Sequence, residues 1–256
     1  MKMDCSLPRL IYAANRGIGL TCLQELLTAG WKPMALLIPD DSVAQCTEDM
    51  HHLLRGVPVL VGRAFRSDEG VELLTGLKPN YVLSVHFPYI IPSSVLAIPT
   101  LGVLNLHPAL LPYNKGWHTP TWAIHDQTPY GATLHWVDEG TDTGPIAMQR
   151  KVEVHPYDTA DSLYQRVIQA EIELFREAIP SMIERKLPMV EQVMEGTKHS
   201  KRDIKDIQKL KLDSSDTIRN TLSRLRALTT NNWGEAAFFE HNGIRYRVRI
   251  EIKPDE

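Results

Sequence analysis

Short apolar runs alternate with segments of helical spacing along the first two thirds of the chain. The apolar runs predict strands, and they are RLIYAA, MALLIP, VPVLVG, NYVLSVHF, GVLNLHP and GATLHWVD. The segments LTCLQELLTAG, VELLTGL and TPTWAIHD between them have helical spacing, with Gly30 ending the first. This alternation predicts an α/β fold, a Rossmann-like twisted and mostly parallel sheet with helices on both faces. Ligands of such sheets bind beyond the carboxyl ends of the strands.

The last third of the chain has a different pattern. A long amphipathic helix is predicted from Thr159 to Ile183, with Asp158 or Thr159 as its cap. The polar, charge-mixed segment EGTKHSKRDIKDIQKLKLD then predicts a linker or a solvated surface. A short helix at DTIRNTLSRLRAL follows, and Asn242-Gly243 between two apolar runs predicts a type I′ hairpin. We therefore expect a main domain of residues 1–195 and a small C-terminal helix and β-hairpin region of residues 196–256.

Charge and cysteine content narrow the class of protein. The net charge is -3, which indicates no general attraction to nucleic acid or to an anionic membrane surface. The three cysteines form neither a CxxC pair nor a disulfide framework, as is typical of a reducing compartment. The N-terminal segment contains Asp4 and Pro8 in place of a signal peptide's apolar region, and no apolar run approaches the ~20 residues of a membrane span. We expect a cytoplasmic protein with no nucleic-acid or membrane partner.

The segment NRGIG after the first strand resembles part of a dinucleotide-binding fingerprint. Gly17 and Gly19 are present, but Cys22 occupies the position of the third glycine. A glycine turn that joins a strand to a helix is the favoured interpretation, and a backbone contact to an anionic ligand is the alternative. The incomplete fingerprint disfavours a nicotinamide-dependent oxidoreductase.

Two later segments contain residues that are candidates for a catalytic or binding role. Asn105 and His107 are two residues apart on a predicted strand, so their side chains face the same way. A structural hydrogen-bonded pair would give the same pattern. The segment DEGTDTG is rich in acceptors and glycine, which is compatible with a surface turn or with a functional loop. Several histidines lie nearby in sequence, but no HxH or HExxH pattern favours a metal site.

The two segments together resemble the folate-dependent formyltransferase family. The matching residues are in NLHPALLP (Asn105 to Pro112) and HWVDEGTDTG (His135 to Gly144), and the resemblance is clear over residues 80–180. It implies an N10-formyltetrahydrofolate donor, an amine acceptor, no metal, and a catalytic triad of Asn105, His107 and Asp142. The carboxamide and imidazole would donate hydrogen bonds to a developing oxyanion, and the carboxylate would orient the imidazole and relay a proton.

The resemblance also assigns the pterin site. It places the pterin in an apolar slot beside the segment FPYIIP, closed on the other side by the backbone of the segment DEGT. The residues assigned to the slot are Phe87, Pro88, Tyr89, Ile90, Ile91, Asp138, Gly140 and Thr141. The alternative for FPYIIP is the end of a core strand that a proline terminates.

Among formyltransferases, the chain looks most like the nucleotide-sugar N-formyltransferases. The segments YNKGWHTPTWAI and RALTTNNWGEAAFFEHNGIRYRV and the small C-terminal hairpin are similar to theirs. Those enzymes act on 4-amino-4,6-dideoxy sugars for bacterial surface polysaccharides such as O-antigen. The family's usual Asn-Arg-Gly is Asn114-Lys115-Gly116 here, and the negative charge disfavours a tRNA substrate. Two alternatives remain. The protein is a formyltransferase that acts on another small amine, one resembling glycinamide ribonucleotide, or it is a degenerate, non-catalytic protein that binds folate or a sugar nucleotide.

For the acceptor we nominate Asn15, Arg16, Lys115, Trp117 and Trp233. Arg16 and Lys115 would offset a pyrophosphate charge, and Trp233 would stack on a nucleobase. The alternatives are solvated surface cations and a tryptophan buried against the hairpin. The apolar face of that hairpin also predicts a homodimer interface.

Overall fold

Parallel strands form the centre of the protein, which a computed structural model describes for residues 6–255. Asp4 and Cys5, used in the compartment prediction, lie outside the described residues. The strands are β1 (Leu10–Ala14), β2 (Ala35–Ile38), β3 (Val59–Val61), β4 (Tyr81–Val85), β5 (Gly102–His107), β6 (Lys115–Gly116), β7 (Tyr130–Trp136), β8 (Ile146–Val152), β9 (Lys198–His199), β10 (Ala237–His241) and β11 (Ile244–Val248). The helices are α1 (Arg16–Thr28), α2 (Thr47–Leu53), α3 (Asp68–Gly76), α4 (Ser93–Leu96), α5 (Thr119–His125), α6 (Ala160–Ile183), α7 (Ile204–Gln208) and α8 (Ile218–Ala227).

The main sheet confirms the predicted fold class. It has seven strands in the order β3-β2-β1-β4-β5-β7-β8. Neighbours from β3 to β5 pair in parallel, whereas β5 and β7 are antiparallel. Strand β1 is buried along its whole length, as expected for a central strand covered on both faces. The sequence pattern did not predict β8, the edge strand.

The chain forms two compact units, and the segments of one unit alternate along the sequence with the segments of the other. The first comprises Met1–His107, Thr133–Met148 and Glu171–Gln192, and the second comprises Pro108–Ala132, Gln149–Ala170 and Val193–Glu256. These units do not coincide with the predicted domains of residues 1–195 and 196–256, and that division stays a prediction.

In the first unit, an apolar cluster fixes the chain that follows β4. Phe87 is buried with Phe65, Leu74 and Val95 in this cluster. The rings of Phe65 and Phe87 meet edge to face with centroids 5.5 Å apart, a favoured aromatic geometry. The first residue of the FPYIIP segment is thereby part of the core.

The helix predicted from Thr159 to Ile183 is present as α6, and Thr159 is its capping residue. The backbone N–H of Ser162 donates to Thr159 Oγ1 at 3.3 Å, an interaction typical of a helix N-terminus. Asp158 instead accepts from the backbone N–H of His155 at 2.6 Å and forms an ion pair with Arg166. No helix within residues 6–255 is both long and apolar enough to cross a membrane.

In the second unit, the segment predicted as a linker or a solvated surface is mostly exposed, and it also contains regular structure. It contains β9, which pairs in parallel with β6, and α7. Ile204 of α7 packs with Leu228 and Ala237 in a small buried cluster. The isoleucines and leucines spaced through this charged segment therefore cover a local core.

The predicted hairpin is confirmed. Strands β10 and β11 pair antiparallel, with His241 opposite Ile244. The two turn residues have φ values of 49° (Asn242) and 76° (Gly243), and a type I′ turn requires positive φ at both positions.

Candidate active site

Three polar side chains converge because of the register between β5 and β7. Asn105 and His107 are two residues apart on β5, and Asn105 lies directly opposite His135 of β7. Residues opposite each other in an antiparallel pair project from the same face. The Asn105 side-chain nitrogen Nδ2 lies 3.1 Å from His135 Nε2. Sequence analysis used His135 as a motif residue but gave it no role, and the structure places it in direct contact with Asn105.

The hydrogen bonds of His135 define the orientation of the Asn105 amide. His135 Nδ1 lies 2.8 Å from the carbonyl oxygen of Trp136, which can only accept, so Nδ1 carries the proton. In the neutral ring Nε2 then accepts a hydrogen bond from Asn105 Nδ2. The His135 side chain is only 1% exposed, so the ring is fixed by its surroundings. One amide hydrogen of Asn105 is thus committed to His135, and the second is directed elsewhere.

The carboxylate of Asp142 lies between two imidazoles. Its Oδ2 is 3.6 Å from His107 Nε2, and its Oδ1 is 3.6 Å from His135 Nε2. The Asp142 side chain is 14% exposed, which leaves little water to screen these charges. The carboxylate is therefore positioned to stabilise a positive charge that develops on His107 during a reaction.

The turn that carries Asp142 is held by other side chains. Asp138 Oδ1 accepts from the backbone N–H of Gly140 at 3.0 Å and from Thr143 Oγ1 at 2.7 Å. Gln192 Nε2 donates to the carbonyl oxygens of Asp142 and Gly144 at 3.0 and 2.7 Å. The shape of the turn is therefore fixed by Asp138 and Gln192.

Two backbone features restrict which residues can occupy positions 142 and 144 of this turn. Asp142 has a φ of 54°, a left-handed conformation that aspartate tolerates better than most residues. A Cβ added at Gly144 would lie 2.0 Å from the carbonyl oxygen of Trp136, so only glycine fits there. This close approach brings the turn against the end of β7.

The segment predicted to hold the pterin divides into core and surface residues. The side chains of Phe87 and Ile91 are buried in the apolar cluster of the first unit. Pro88, Tyr89 and Ile90 instead line a surface cavity of about 350 Å³ together with Arg63, Arg66 and Pro92. Two side chains of the segment are therefore part of the core, and the assignment of residues 87–91 to the pterin stays a prediction.

Hydrogen bonds secure this segment to its neighbours. The Tyr89 hydroxyl donates to Asp40 Oδ2 at 2.7 Å. The Ser42 side chain and then Tyr89 lower the pKa of Asp40, and the Asp40 bond raises the pKa of Tyr89. Ser93 Oγ donates to Glu139 Oε1 at 3.0 Å, which ties the end of the segment to the exposed turn of Asp138, Gly140 and Thr141.

Of the acceptor residues nominated in the first unit, Asn15 is committed to the fold. Its Nδ2 donates to the Val43 carbonyl at 3.0 Å, and its Oδ1 accepts from the Gln45 backbone at 2.9 Å. Asn15 is buried, so its side chain fixes the loop after β2 and does not face solvent. Arg16 is exposed and begins α1. The NRGIG segment leads directly from β1 into α1. A Cβ atom added at Gly19 would lie only 3.0 Å from the Cβ of Ala14, so the helix packs closely against the end of the strand.

Of the residues nominated in the second unit, Lys115 also has a hydrogen-bond partner within the protein. It is buried, and its Nζ donates to the Glu195 carbonyl at 3.0 Å. Trp117 and Trp233 are both exposed, with a cation over each ring. Lys201 Nζ lies 4.9 Å from the Trp117 ring centroid, and the Arg249 guanidinium carbon lies 4.9 Å from that of Trp233. The alternative of a solvated surface cation therefore does not apply to Lys115, and its assignment to the acceptor stays a prediction.

Within residues 6–255, no three histidine, cysteine, aspartate or glutamate side chains are grouped so as to hold a metal ion.

Comparison with known proteins gives matches over most of the chain. Residues 42–179 match the formyl transferase family, and residues 203–254 match the N-formyltransferase dimerization C-terminal domain. The dTDP-4-amino-4,6-dideoxyglucose formyltransferase of Mycobacterium bovis is 31% identical over 177 residues, covering 69% of this chain and 75% of that protein. These matches cover both the candidate site and the hairpin.

Solved structures share the fold. A sugar N-formyltransferase from Shewanella superposes with a TM-score of 0.83 at 21% identity, covering 97% of this chain and 99% of that one. An N-formyltransferase from Helicobacter canadensis, solved in complex with folinic acid and dTDP-3-aminofucose, has a TM-score of 0.73 at 21% identity. The alignment with the Helicobacter protein covers 93% of this chain and 85% of that one.

Proposed function

Because the chain belongs to the formyl transferase family, we propose that it moves a formyl group from N10-formyltetrahydrofolate to the amino group of a nucleotide-linked aminodeoxy sugar. The observation that carries the proposal is the position of the Asp142 carboxylate, 3.6 Å from both His107 and His135, beside the Asn105 amide. The relative that acts on an aminodeoxy sugar nucleotide supports the choice of acceptor.

The reaction requires charge stabilisation and proton movement, and the site supplies both. The amine nitrogen of the acceptor attacks the formyl carbon, and the carbonyl electron pair moves onto oxygen. We assign the second amide hydrogen of Asn105 and a protonated His107 as donors to this oxyanion, since pre-positioned donors contribute most where charge develops. When the intermediate collapses, the bond to N10 breaks, the sugar nitrogen loses a proton and N10 gains one. The products are tetrahydrofolate and a sugar formamide.

In this scheme Asp142 and His135 have different roles. The Asp142 carboxylate stabilises the His107 imidazolium and relays the proton that leaves the sugar nitrogen. His135 acts as a positioning residue, because its hydrogen bond fixes the Asn105 amide group with nitrogen toward the ring. These assignments rest on the distances given above.

The formyl donor suits the cavity beside the β4 loop. A folate carries a flat pterin at one end and the carboxylates of a glutamate at the other. We place the pterin against the backbone of residues 87–91 and 138–141, because the side chains of Phe87 and Ile91 are taken up by the core. Arg63 and Arg66 line the adjoining cavity and would attract the glutamate carboxylates.

The acceptor residues are fewer than the sequence indicated. We retain the exposed Arg16 in the first unit as a candidate for a phosphate, and Trp117 and Trp233 in the second unit as candidates for stacking on a base or sugar. Asn15 and Lys115 contribute indirectly, by holding their loops.

We further propose that the protein is a cytoplasmic homodimer joined through the hairpin and that its product enters a surface polysaccharide such as O-antigen. The match to a dimerization domain over residues 203–254 supports the dimer. Phe239 and Tyr246 stack with ring centroids 5.3 Å apart, and Tyr246 and Ile244 are exposed on this hairpin. An exposed aromatic and aliphatic face of this kind is suited to burial against a second copy.

The test is a panel of acceptors assayed with N10-formyltetrahydrofolate. Amino sugars linked to dTDP, UDP and GDP are each compared with the matching sugar that has a hydroxyl in place of the amine, and glycinamide ribonucleotide is included. We expect tetrahydrofolate release, followed by absorbance, only with an aminosugar nucleotide. Release with glycinamide ribonucleotide alone would assign another amine, and folate binding without turnover on any acceptor would indicate a non-catalytic binding protein.

A further inference from the structure

A buried histidine and glutamate join the β4 loop to α6, and the proposed chemistry uses neither. His86 is the first residue after β4 and immediately precedes Phe87. Its Nε2 lies 3.0 Å from both carboxylate oxygens of Glu171 on α6. The His86 side chain is 6% exposed and that of Glu171 is 0% exposed.

The surroundings of Glu171 are unfavourable for a lone carboxylate. Cys22 of α1 is also buried, and burial followed by the charge of Glu171 raises the pKa of its thiol. A buried carboxylate is costly unless it is paired or hydrogen-bonded, and His86 Nε2 lies within hydrogen-bond distance of both Glu171 oxygens, which can share its N–H. Removing either partner leaves the other buried without its counterpart, so the two residues hold each other in place.

The pair also holds an unusual backbone. His86 has a φ of 50°, in the left-handed region that non-glycine residues rarely adopt. Such a conformation persists only where the surrounding contacts impose it. The contact with Glu171 is one such constraint. The next residue, Phe87, is held by different elements, because it packs against Phe65.

We propose that His86 and Glu171 are positioning residues that set the direction of the chain as it enters the pterin loop, residues 87–91. Two adjacent residues, one bonded to α6 and one packed in the apolar cluster, fix that direction. This inference rests on the proposed function, since it concerns the folate side of the same site. Without the pair, the loop would sample other conformations, and folate would bind only the competent fraction.

The test uses two variants and a matched control. Glu171→Gln keeps the shape but removes the charge, and His86→Asn removes the imidazole while tolerating positive φ. Arg176→Ala is the control, because Arg176 lies on the same helix and its ion pair with Glu25 is exposed. Titration calorimetry with folinic acid, a stable folate, gives Kd without turnover, and steady-state assays give KM and kcat.

We expect Kd and KM for the folate to rise about tenfold in both variants, as they would if only about a tenth of the molecules held the competent loop. The effect on kcat at saturating folate should be smaller, and Arg176→Ala should leave folate affinity unchanged. Because the two residues act as one unit, the double variant should be little worse than the worse of the two single variants, well short of their combined effect.

Hydrogen exchange of the ligand-free protein keeps the inference falsifiable if folate proves to be the wrong ligand. Both variants should exchange faster at residues 87–91 than the wild type and the control. Unchanged exchange there, or unchanged folate affinity together with a lower Tm, would overturn the inference while leaving the proposed function intact. Failure of the wild type to bind folinic acid would overturn the proposed function, and the exchange at residues 87–91 would then decide the positioning role by itself. If one variant does not fold, the other decides.

Discussion

Replacing Asp142 by asparagine removes one negative charge while almost preserving the volume of the side chain. The carboxylate lies 3.6 Å from both His107 and His135. Opposite unit charges about 4 Å apart attract by about 4 kcal/mol at an effective dielectric constant of about 20. An imidazolium that forms during the reaction would lose about that much stabilisation. Since each 1.36 kcal/mol is a tenfold change in rate, we expect kcat to fall by about 10³.

The assay combines kcat at saturating donor and acceptor with folate affinity and Tm, all on Asp142→Asn. Affinity and Tm should change little, because the turn is bonded by Asp138 and Gln192. Asp138→Ala is the matched control. It removes the acceptor for Gly140 and Thr143, so it should lower Tm and weaken folate binding while leaving most of the turnover at saturation.

The opposite pattern would refute the reasoning. Near-normal turnover in Asp142→Asn, together with weakened folate binding and a lower Tm, would mean that Asp142 shapes the turn and does not take part in the reaction.

Three further predictions concern other parts of the chain. Gly144→Ala should cost about 10²-fold in kcat and lower Tm, because the added Cβ would lie 2.0 Å from the Trp136 carbonyl; wild-type kinetics would contradict this. Burial raises the pKa of the Cys22 thiol, whereas Cys46 is exposed. Thiol labelling at pH 8 followed by peptide mapping should therefore show that Cys46 is modified much faster than Cys22, and equal rates would contradict this. Tyr246→Glu should halve the molar mass measured by light scattering, and an unchanged mass would exclude the hairpin as the dimer interface.

The main sheet could be predicted from sequence because its central strands are short apolar runs separated by helices. The edge strand β8 could not, since Gln149, Arg150 and Lys151 interrupt its apolar pattern. Helix α7 was hidden for a similar reason. It has five residues in a charged segment, and only the tertiary contacts of Ile204 reveal that it is part of a core.

The candidate site divides in the same way. Asn105 and His107 were identified together because the two-residue period of a strand is visible in sequence. The contact of Asn105 with His135 depends on the pairing register, which the sequence does not display. Asn15 and Lys115 looked like ligand contacts because their types suit a phosphate. Their hydrogen-bond partners are backbone groups distant in sequence, and no local pattern reports such partners.

The β5–β7 register has a consequence for how such a protein can diversify. Asn105 faces His135 and His107 faces Thr133 in a ladder whose side chains alternate every residue. An insertion or deletion of one residue within either strand would turn the polar side chains to the opposite face, and selection would remove it. Residues 108–129, which connect the two strands, carry no such constraint from the ladder. Descendant lineages can therefore lengthen or reshape that connection without turning Asn105 and His107 away from His135.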